Sequence, residues 1–372
     1  MLNFDNWISE LIPSTKLFLA KIKKNSSGYK FFPTTGQLTN YGEKLNLGFS
    51  CYALKINYII DNIKSLSESE INSWIDYINS FQILESRFPK GSFVDPNYLN
   101  YFNKKNIINN HKWQVKDLLI GFNLYKGETS ENYLNKSILA ESKQAMSSLI
   151  QVGGSCKYEY INVLFTNSKI AEYLSKLNWN NPWDAGAQFA NTAFFVSTTN
   201  KNNQEQKLYL SQYINLLASN LDGTYGNGKY KNINQLINGS MKVLTGLDWL
   251  NQDVHFPHRL IDTALKIKPS KEGCDLIDVV YVLYKCSMLT DYRKNEVLTY
   301  LNLILKTIQS HYFESGGFSY FRDNCQTHYY GVKISKKTKA PDIHGTILLI
   351  WAISMIDNLI KDGESKLKIL KP

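Results

Sequence analysis

Six segments of the chain carry apolar side chains on nearly every face of the helix that each segment predicts. The segment that follows Glu272 shows this most clearly, since Leu276, Ile277 and Val282 point in different directions around a helix. A helix that is apolar all round is buried, because no face is left for water. We therefore predict inner helices over residues 45–60, 113–125, 185–197, 236–250, 274–289 and 343–360.

Amphipathic segments alternate with these six. Residues 68–84 carry one apolar stripe through Ile71, Trp74 and Ile78, which places one face in the core and the other in water. A separate N-terminal helix over residues 3–24 should be broken near Pro13, because proline cannot complete the helical hydrogen bonds. Outer helices are predicted over residues 68–84, 132–150, 203–218, 257–267 and 292–312, with an extra helix over residues 162–177.

Glycine and an aromatic residue mark the passage from an outer helix to the next inner one, in Gly91-Ser92-Phe93, Gly223-Thr224-Tyr225 and Gly316-Gly317-Phe318. Glycine suits the left-handed turn after a helix, and the aromatic ring can plug the end of the hairpin. Recurrence at intervals of tens of residues is typical of repeated helical hairpins. The predicted fold is an all-α (α/α)6 toroid with about six outer helices, formed as one domain by residues 1–372, with residues 1–40 packed on it.

The predicted inner helices nevertheless carry polar residues. Cys274, Asp278, Tyr281 and Lys285 form one narrow stripe on an otherwise apolar helix. An unpaired carboxylate in a core is costly, so the stripe should face a wet cavity or buried partners. The other polar positions on inner helices are Lys55, Asp184, Gln188, Asn191, Asn238 and Lys242. They predict a polar central funnel that binds a sugar or phosphorylated ligand, while a structural network between neighbouring helices remains the alternative.

Composition excludes several other classes of protein. The formal net charge is +10 with a pI near 9.1, but the lysines are scattered, which favours solvated surface lysines over a nucleic-acid site. The N-terminus has an early acid and lacks the apolar core of a signal peptide, and no stretch of about 18 uncharged apolar residues predicts a membrane span. Five cysteines at irregular spacing argue against a disulfide framework. We expect a cytoplasmic protein.

Three motifs in the last hundred residues carry a family resemblance: Glu272-Gly273-Cys274, Gly316-Gly317-Phe318 and Pro341-Asp342-Ile343-His344-Gly345. Their order and their placement at the starts of successive inner helices resemble the protein prenyltransferase β subunits, which belong to a superfamily with the terpenoid cyclases. Those subunits carry Asp-Gly-Cys, a Gly-Gly turn and a histidine, and the Asp, Cys and His bind zinc. The resemblance implies a zinc site at Glu272, Cys274 and His344, with glutamate in place of aspartate. The Asp-x-Asp-Asp acid of terpenoid cyclases is absent.

A second candidate chemistry is the cleavage of glycans. In the loop that includes His328, the imidazole and the hydroxyl of Tyr329 or Tyr330 could serve as base and acid in a β-elimination on a uronic acid. Asp184 with Asp278, or Asp262 with Asp342, could form the two carboxylates of an inverting glycosidase. A surface loop rich in Tyr and His is just as often mere packing, and a chain with 32 acidic residues offers many such pairs.

Three functions therefore remain open from the sequence. The first is an enzyme of the transferase or cyclase kind acting on a prenyl- or sugar-phosphate type substrate, with Asp278 among its catalytic residues and zinc as a candidate cofactor. The second is a glycan-acting hydrolase or lyase, in which Tyr330 also contacts the substrate. The third is a non-catalytic protein that keeps the barrel for ligand binding or as a scaffold.

Overall fold

The computed structural model describes residues 4–25, 28–102, 107–122, 124–125, 127–199, 203–227 and 232–372. These residues form fifteen α-helices and one two-stranded antiparallel ribbon. The first helices are α1 (Phe4–Ile22), α2 (Asn40–Lys44), α3 (Leu47–Ile59), α4 (Glu68–Asn79), α5 (Pro96–Phe102), α6 (Ile107–Gly121), α7 (Ser130–Gln151) and α8 (Asn167–Ser175). The remaining elements are α9 (Pro182–Thr199), α10 (Gln204–Asn215), α11 (Ile233–Leu250), α12 (Pro257–Ala264), α13 (Gly273–Ser287), α14 (Lys294–Gln309), β1 (His328–Tyr329), β2 (Val332–Lys333) and α15 (Ile343–Ile360).

Six of the helices form a closed ring. Helix α3 packs on α7, and the contacts continue through α9, α11, α13 and α15, which packs back on α3. Helices α11 and α13 run in the same direction, because the start of α11 contacts the start of α13 through Asn238 and Asp275, while Asp248 meets Lys285 further along both. Helices α4, α10, α12 and α14 pack on the ring helices from outside. The predicted all-α toroid is confirmed.

One inner helix was assigned to the wrong segment. Residues 113–125, predicted to be inner, lie in and just after α6, where Val115, Leu118 and Phe122 are 54%, 59% and 67% exposed. Helix α7, predicted to be outer, takes the place in the ring. Its buried face includes Ser142 and Ser148, which a count of apolar residues misses. A serine hydroxyl can be buried because it donates to a carbonyl one turn back, as Ser148 does to Gln144 at 2.7 Å.

The predicted break at Pro13 is also wrong. Helix α1 continues from Phe4 to Ile22 with Pro13 inside it. Proline removes one helical hydrogen bond, which bends a helix without ending it when the freed carbonyl has another partner such as water. Pro13 is exposed, so water reaches this part of the helix.

The glycine-aromatic turns are confirmed at all three positions. Gly91, Gly223 and Gly316 have φ of 79°, 75° and 90°, in the left-handed region. The aromatic residues that follow, Phe93, Tyr225 and Phe318, are each 0% exposed, so the rings plug the hairpin ends as expected.

Helices α9 and α11 pack most closely where glycines replace larger side chains. A Cβ on Gly239 would lie 2.7 Å from Cβ and 2.9 Å from the carbonyl carbon of Pro182, at the start of α9. We expect Gly239→Ala to lower the free energy of unfolding by about 1–3 kcal/mol, because α9 must move away. Gly121→Ala is the matched control, since a Cβ there meets no atom within 4 Å. Urea denaturation that gives both variants the same stability would contradict the close approach.

Within the part of the chain that the structure describes, α15 is the one helix long and apolar enough to cross a membrane. However, 72% of this span is buried inside the protein, as expected for a core helix of the ring.

Candidate functional site

Three lysines from different ring helices point into the interior and are close enough to affect one another's ionisation. These interior lysines are Lys55 on α3, Lys143 on α7 and Lys242 on α11. Lys55 is 6% exposed and donates from Nζ to Ser147 Oγ at 2.7 Å. Lys143 lies with Nζ 6.0 Å from the centre of the Phe194 ring, and it has no hydrogen bond or ion pair with any described residue. The ring therefore brings three amines together from three separate helices.

Two of the interior lysines, Lys55 and Lys143, hold their protons less firmly than ordinary lysines do. Burial lowers the pKa of Lys143 to about 7, and the nearby Lys55 and Lys242 lower it further because like charges repel. Burial also lowers the pKa of Lys55 to about 8, although Cys51 opposes the shift. Their ammonium forms thus lack sufficient counter-charge in the protein itself.

Asp278 is the carboxylate nearest to Lys242. It is 0% exposed, and its Oδ1 lies 3.8 Å from Lys242 Nζ, too far for a hydrogen bond. Neither carboxylate oxygen accepts a hydrogen bond from a described residue. Burial raises the pKa of Asp278 to about 6, because desolvation outweighs the attraction of Lys242. The group therefore changes its protonation state close to neutral pH.

His344 begins α15 between two aromatic rings. The ring centroids of Tyr52 and Tyr320 lie 5.0 and 5.2 Å from that of His344, with interplanar angles of 13° and 20°. Burial lowers the pKa of His344 to about 3, and the positive charge of Lys242 adds to the shift. The imidazole is therefore neutral at physiological pH. Its Nδ1 is buried and finds no hydrogen-bond partner among the described residues.

The three residues of the predicted zinc site lie in different surroundings. Glu272 precedes α13 and is exposed, whereas the side chain of Tyr320 stacks on His344 and also interacts with the Cys274 thiol. Burial raises the pKa of Cys274 to about 11, so without a bound metal it is a thiol at neutral pH. No group of three or more His, Cys, Asp or Glu side chains in the described ranges is arranged to hold a metal ion. Zinc at these residues stays a prediction from the resemblance, and no chemistry is derived through it.

The ribbon places His328 and Tyr329, one of the proposed acid–base pairs, on opposite faces. His328 is exposed and Tyr329 is buried, because neighbouring residues of a strand point to opposite faces. Tyr329 reaches between α3 and α7, where its hydroxyl donates to Glu141 Oε1 at 2.9 Å. The carbonyl of Tyr330 accepts from the Tyr98 hydroxyl at 3.0 Å. Tyr329 therefore anchors the ribbon to the ring, the Tyr330 carbonyl joins it to α5, and His328 faces solvent.

Asp342 has a structural role. Its Oδ1 accepts from the backbone N–H of Gly345 at 2.7 Å, which caps α15. Its Oδ2 accepts from the backbone N–H groups of Tyr320 at 2.7 Å and Gln326 at 3.0 Å. Burial raises the pKa of Asp342 to about 6 against the effect of these donors. Both oxygens are thus committed to the backbone.

Several other predicted substrate-binding residues link neighbouring helices. Asp184 pairs with Lys136 at 3.0 Å and accepts from Gln188 Nε2 at 2.9 Å, while Asn191 lies two turns beyond Asp184, half-buried. Asn238 donates to Asp275 Oδ1 at 2.8 Å, and the Tyr281 hydroxyl donates to Asp248 Oδ2 at 2.9 Å. The structural-network alternative therefore describes Asn238 and Tyr281, whereas Lys55, Lys242, Asp278 and His344 have polar atoms directed at the interior.

Sequence reasoning missed Lys143 and Glu141. Both lie on α7, which the pattern assigned to the outer layer. Glu141 is 1% exposed, and burial raises its pKa to about 8, so it is largely protonated at neutral pH. The sequence feature that could have indicated a ring helix is the set of small residues around Glu141 and Lys143, because small side chains allow a helix to pack on two sides. These residues are Ser137, Ser142, Ala145, Ser147 and Ser148.

Two cavities lie away from these residues. One, of about 530 Å³, is lined by residues that include Tyr160, Phe165 and Gln206, beside α9 and α10. The other, of about 280 Å³, lies where α13 and α15 end and α14 begins, near Asp291 and Asp362. Neither contains a residue that the sequence predicted to be functional.

Fold and site together define an α/α toroid with charged side chains in its interior. The sequence matches no protein-family model, and no curated protein matches it. Among solved structures, the chain is similar to the type II terpene cyclase MstE from Scytonema, as a variant in complex with the product merosterolic acid A. The match has a TM-score of 0.41 and 11% identity, and covers 96% of this chain and 97% of that one. The likeness is remote, and it defines neither the activity nor the ligand of this chain.

Proposed function

We propose that the protein is an enzyme that binds a small molecule bearing a phosphate or diphosphate, of the prenyl- or sugar-phosphate type, inside the helical ring. The observation that carries this proposal is the set of interior lysines. Three amines from three helices lie in the interior, Asp278 is the carboxylate nearest to Lys242, and Lys143 has no polar partner among the described residues.

A bound phosphate would remove the cost of this arrangement. Burying a charge is expensive unless it is paired, and three neighbouring amines add mutual repulsion. Phosphate oxygens accept charge-assisted hydrogen bonds from ammonium groups, and lysine is a common phosphate-binding residue. An anionic ligand would favour the ammonium form of Lys55 and so offset both effects.

A stacked aromatic group close to Lys242 suits the rest of such a ligand. His344 between Tyr52 and Tyr320 presents a stacked aromatic surface next to the start of α13 and α15. Aromatic faces pack against prenyl chains and sugar rings alike. Asp278, with a pKa of about 6, is the group to which we assign proton transfer, because a general acid or base works best with a pKa close to the operating pH.

The glycan-acting alternative has no observation in its favour. His328 and Tyr329 face opposite sides of the ribbon, and both carboxylate oxygens of Asp342 accept hydrogen bonds from backbone N–H groups. A scaffold without a ligand would be expected to fill its axis with paired or apolar side chains, which is not the arrangement of Lys143.

Isothermal titration with pyrophosphate tests the anion site. We expect wild-type protein to bind pyrophosphate, and Lys55→Met to weaken binding at least about tenfold through loss of a charge-assisted hydrogen bond. Lys306→Met, a change at an exposed lysine of α14, is the matched control and should bind as the wild type does.

To test turnover, the protein is incubated with a panel of prenyl diphosphates and sugar phosphates, and the release of phosphate or diphosphate is measured. Absence of binding by the wild type, or equal binding by Lys55→Met and Lys306→Met, would refute the interior anion site. Unsaturated or reducing-end products from acidic polysaccharides would support the glycan-acting alternative instead.

A further inference from the structure

We propose that Lys143 is a nucleophilic amine that forms a Schiff base with a carbonyl group of the ligand. The inference rests on the proposed function, and it narrows the ligand to phosphorylated compounds that carry an aldehyde or ketone, such as a sugar phosphate in its open-chain form. The geometry that carries it is an amine on α7 without a polar partner among the described residues, one helical turn before Ser147, to which Lys55 Nζ donates at 2.7 Å.

The surroundings of Lys143 are those that activate a lysine. Nucleophilic lysines are made reactive by desolvation or by a neighbouring cation, since both favour the neutral amine. Lys143 is desolvated by burial and lies near two cations, Lys55 on α3 and Lys242 on α11. Its Nζ also lies 6.0 Å from the centre of the Phe194 ring on α9. Asp278 lies nearest to Lys242, so it does not hold a proton on Lys143.

Glu141, on the same helix, is bound to the Tyr329 hydroxyl, and burial keeps it largely protonated near neutral pH. The described carboxyl groups around Lys143 are thus engaged elsewhere. With a pKa of about 7, roughly half of the amine is neutral at pH 7, against well under a thousandth for an ordinary lysine.

The step is an addition followed by loss of water. The neutral Nζ of Lys143 attacks the carbonyl carbon, and a C–N bond forms as the carbonyl π bond breaks. The two hydrogens of the amine leave with the carbonyl oxygen as one molecule of water, which gives the imine. No oxidant or reductant is needed. Lys55 and Lys242 remain to bind the phosphate of the same ligand.

Pyridoxal 5′-phosphate is a suitable probe, because it carries an aldehyde and a phosphate. Wild-type protein is incubated with it at pH 7.5, reduced with borohydride, and digested for peptide mass mapping. We expect about one label per chain, at Lys143, with at least tenfold less at the exposed Lys306 and with protection by pyrophosphate. Pyridoxal, which has no phosphate, should label Lys143 at least tenfold more slowly.

The variants and the pH profile give the controls. Lys143→Met should lose the label while Lys306→Met keeps it. In wild-type protein the labelling rate should reach half of its maximum near pH 7, whereas an ordinary lysine would require a pH near its usual pKa of about 10.4. This second measurement does not depend on the folding of a variant.

The outcomes separate this inference from the proposed function. Pyrophosphate binding together with labels spread over exposed lysines would overturn the nucleophilic role and leave the anion site in place. Labelling of Lys143 that is equally fast with pyridoxal would support the reactive amine and overturn the anion site. Absence of both pyrophosphate binding and Lys143 labelling would overturn both.

Discussion

Replacement of Lys143 by methionine is expected to stabilise the fold while it removes the amine that we assign as the nucleophile. The pKa of Lys143 falls from an ordinary value of 10.5 to about 7, and each unit corresponds to about 1.4 kcal/mol between the two protonation states. The free-energy cost of the charged Lys143 amine in the folded protein at pH 7 is therefore on the order of 4 kcal/mol. Because methionine fills a similar volume without a charge, we expect the free energy of unfolding to rise by about 1–3 kcal/mol.

The pH dependence of this effect has a defined sign. Below pH 7 both the folded and the unfolded chain carry the proton on Lys143, so its full penalty applies. Between pH 7 and about 10.5 the unfolded chain binds more protons, so the penalty shrinks as pH rises. The stability advantage of Lys143→Met over the wild type should thus be largest at or below pH 7 and disappear near pH 10.5.

Urea denaturation at a series of pH values checks this prediction, with Lys306→Met measured beside it. The difference between wild type and variant isolates Lys143 from the other groups that titrate in the same range, such as Lys55 and Glu141. A Lys143→Met protein that is less stable than wild type at pH 7 would show that Lys143 is paired in the folded state. The anion site would then lose its main support.

Apolar periodicity predicted most of the ring. The last inner helix was expected over residues 343–360, and the structure has α15 at Ile343–Ile360. Patterns of this kind succeed where burial is achieved by large aliphatic side chains. They fail at α7, whose buried surface consists largely of serine and alanine, and at α6, whose leucines are exposed. Hydrophobicity alone cannot distinguish a helix packed through small residues from one that faces water.

The site was predictable only in part for a related reason. Lys55, Lys242 and Asp278 were predicted because each is a polar residue on a helix that is otherwise apolar, and His344 because of the motif at the start of α15. Lys143 has polar neighbours in sequence, so nothing distinguished it from a surface lysine. Its role depends on three helices meeting, which is a property of the ring rather than of any one segment.

The stacked position of His344 shows the same limit. The motif that suggested zinc places His344 at the start of a ring helix, and the structure agrees with that placement. What sequence spacing could not show is Tyr320, which comes from the loop before α15 and stacks directly on the imidazole. Spacing along the sequence therefore places His344 at the start of a helix, but it does not show which side chains from other loops lie beside it.

Asp342→Ala is expected to be among the most destabilising single changes in this chain. The carboxylate is 1% exposed and accepts three backbone hydrogen bonds, from Gly345, Tyr320 and Gln326. Alanine would leave these N–H groups without their acceptor in a buried place, and hydrogen bonds to a charged group contribute about 1.5–3 kcal/mol each. We expect the free energy of unfolding to fall by about 3–5 kcal/mol, since the same residue caps α15 and holds the loop that carries Tyr320.

Asp342→Asn distinguishes this structural role from a catalytic one. Asparagine keeps one acceptor oxygen, so it should recover part of the stability that alanine loses, and a folded Asp342→Asn protein should still bind pyrophosphate. Thermal unfolding and titration of the three proteins measure both properties. If instead Asp342→Ala retains wild-type stability and loses only turnover, the carboxylate acts on the ligand, and the glycan-acting alternative regains one of its two carboxylates.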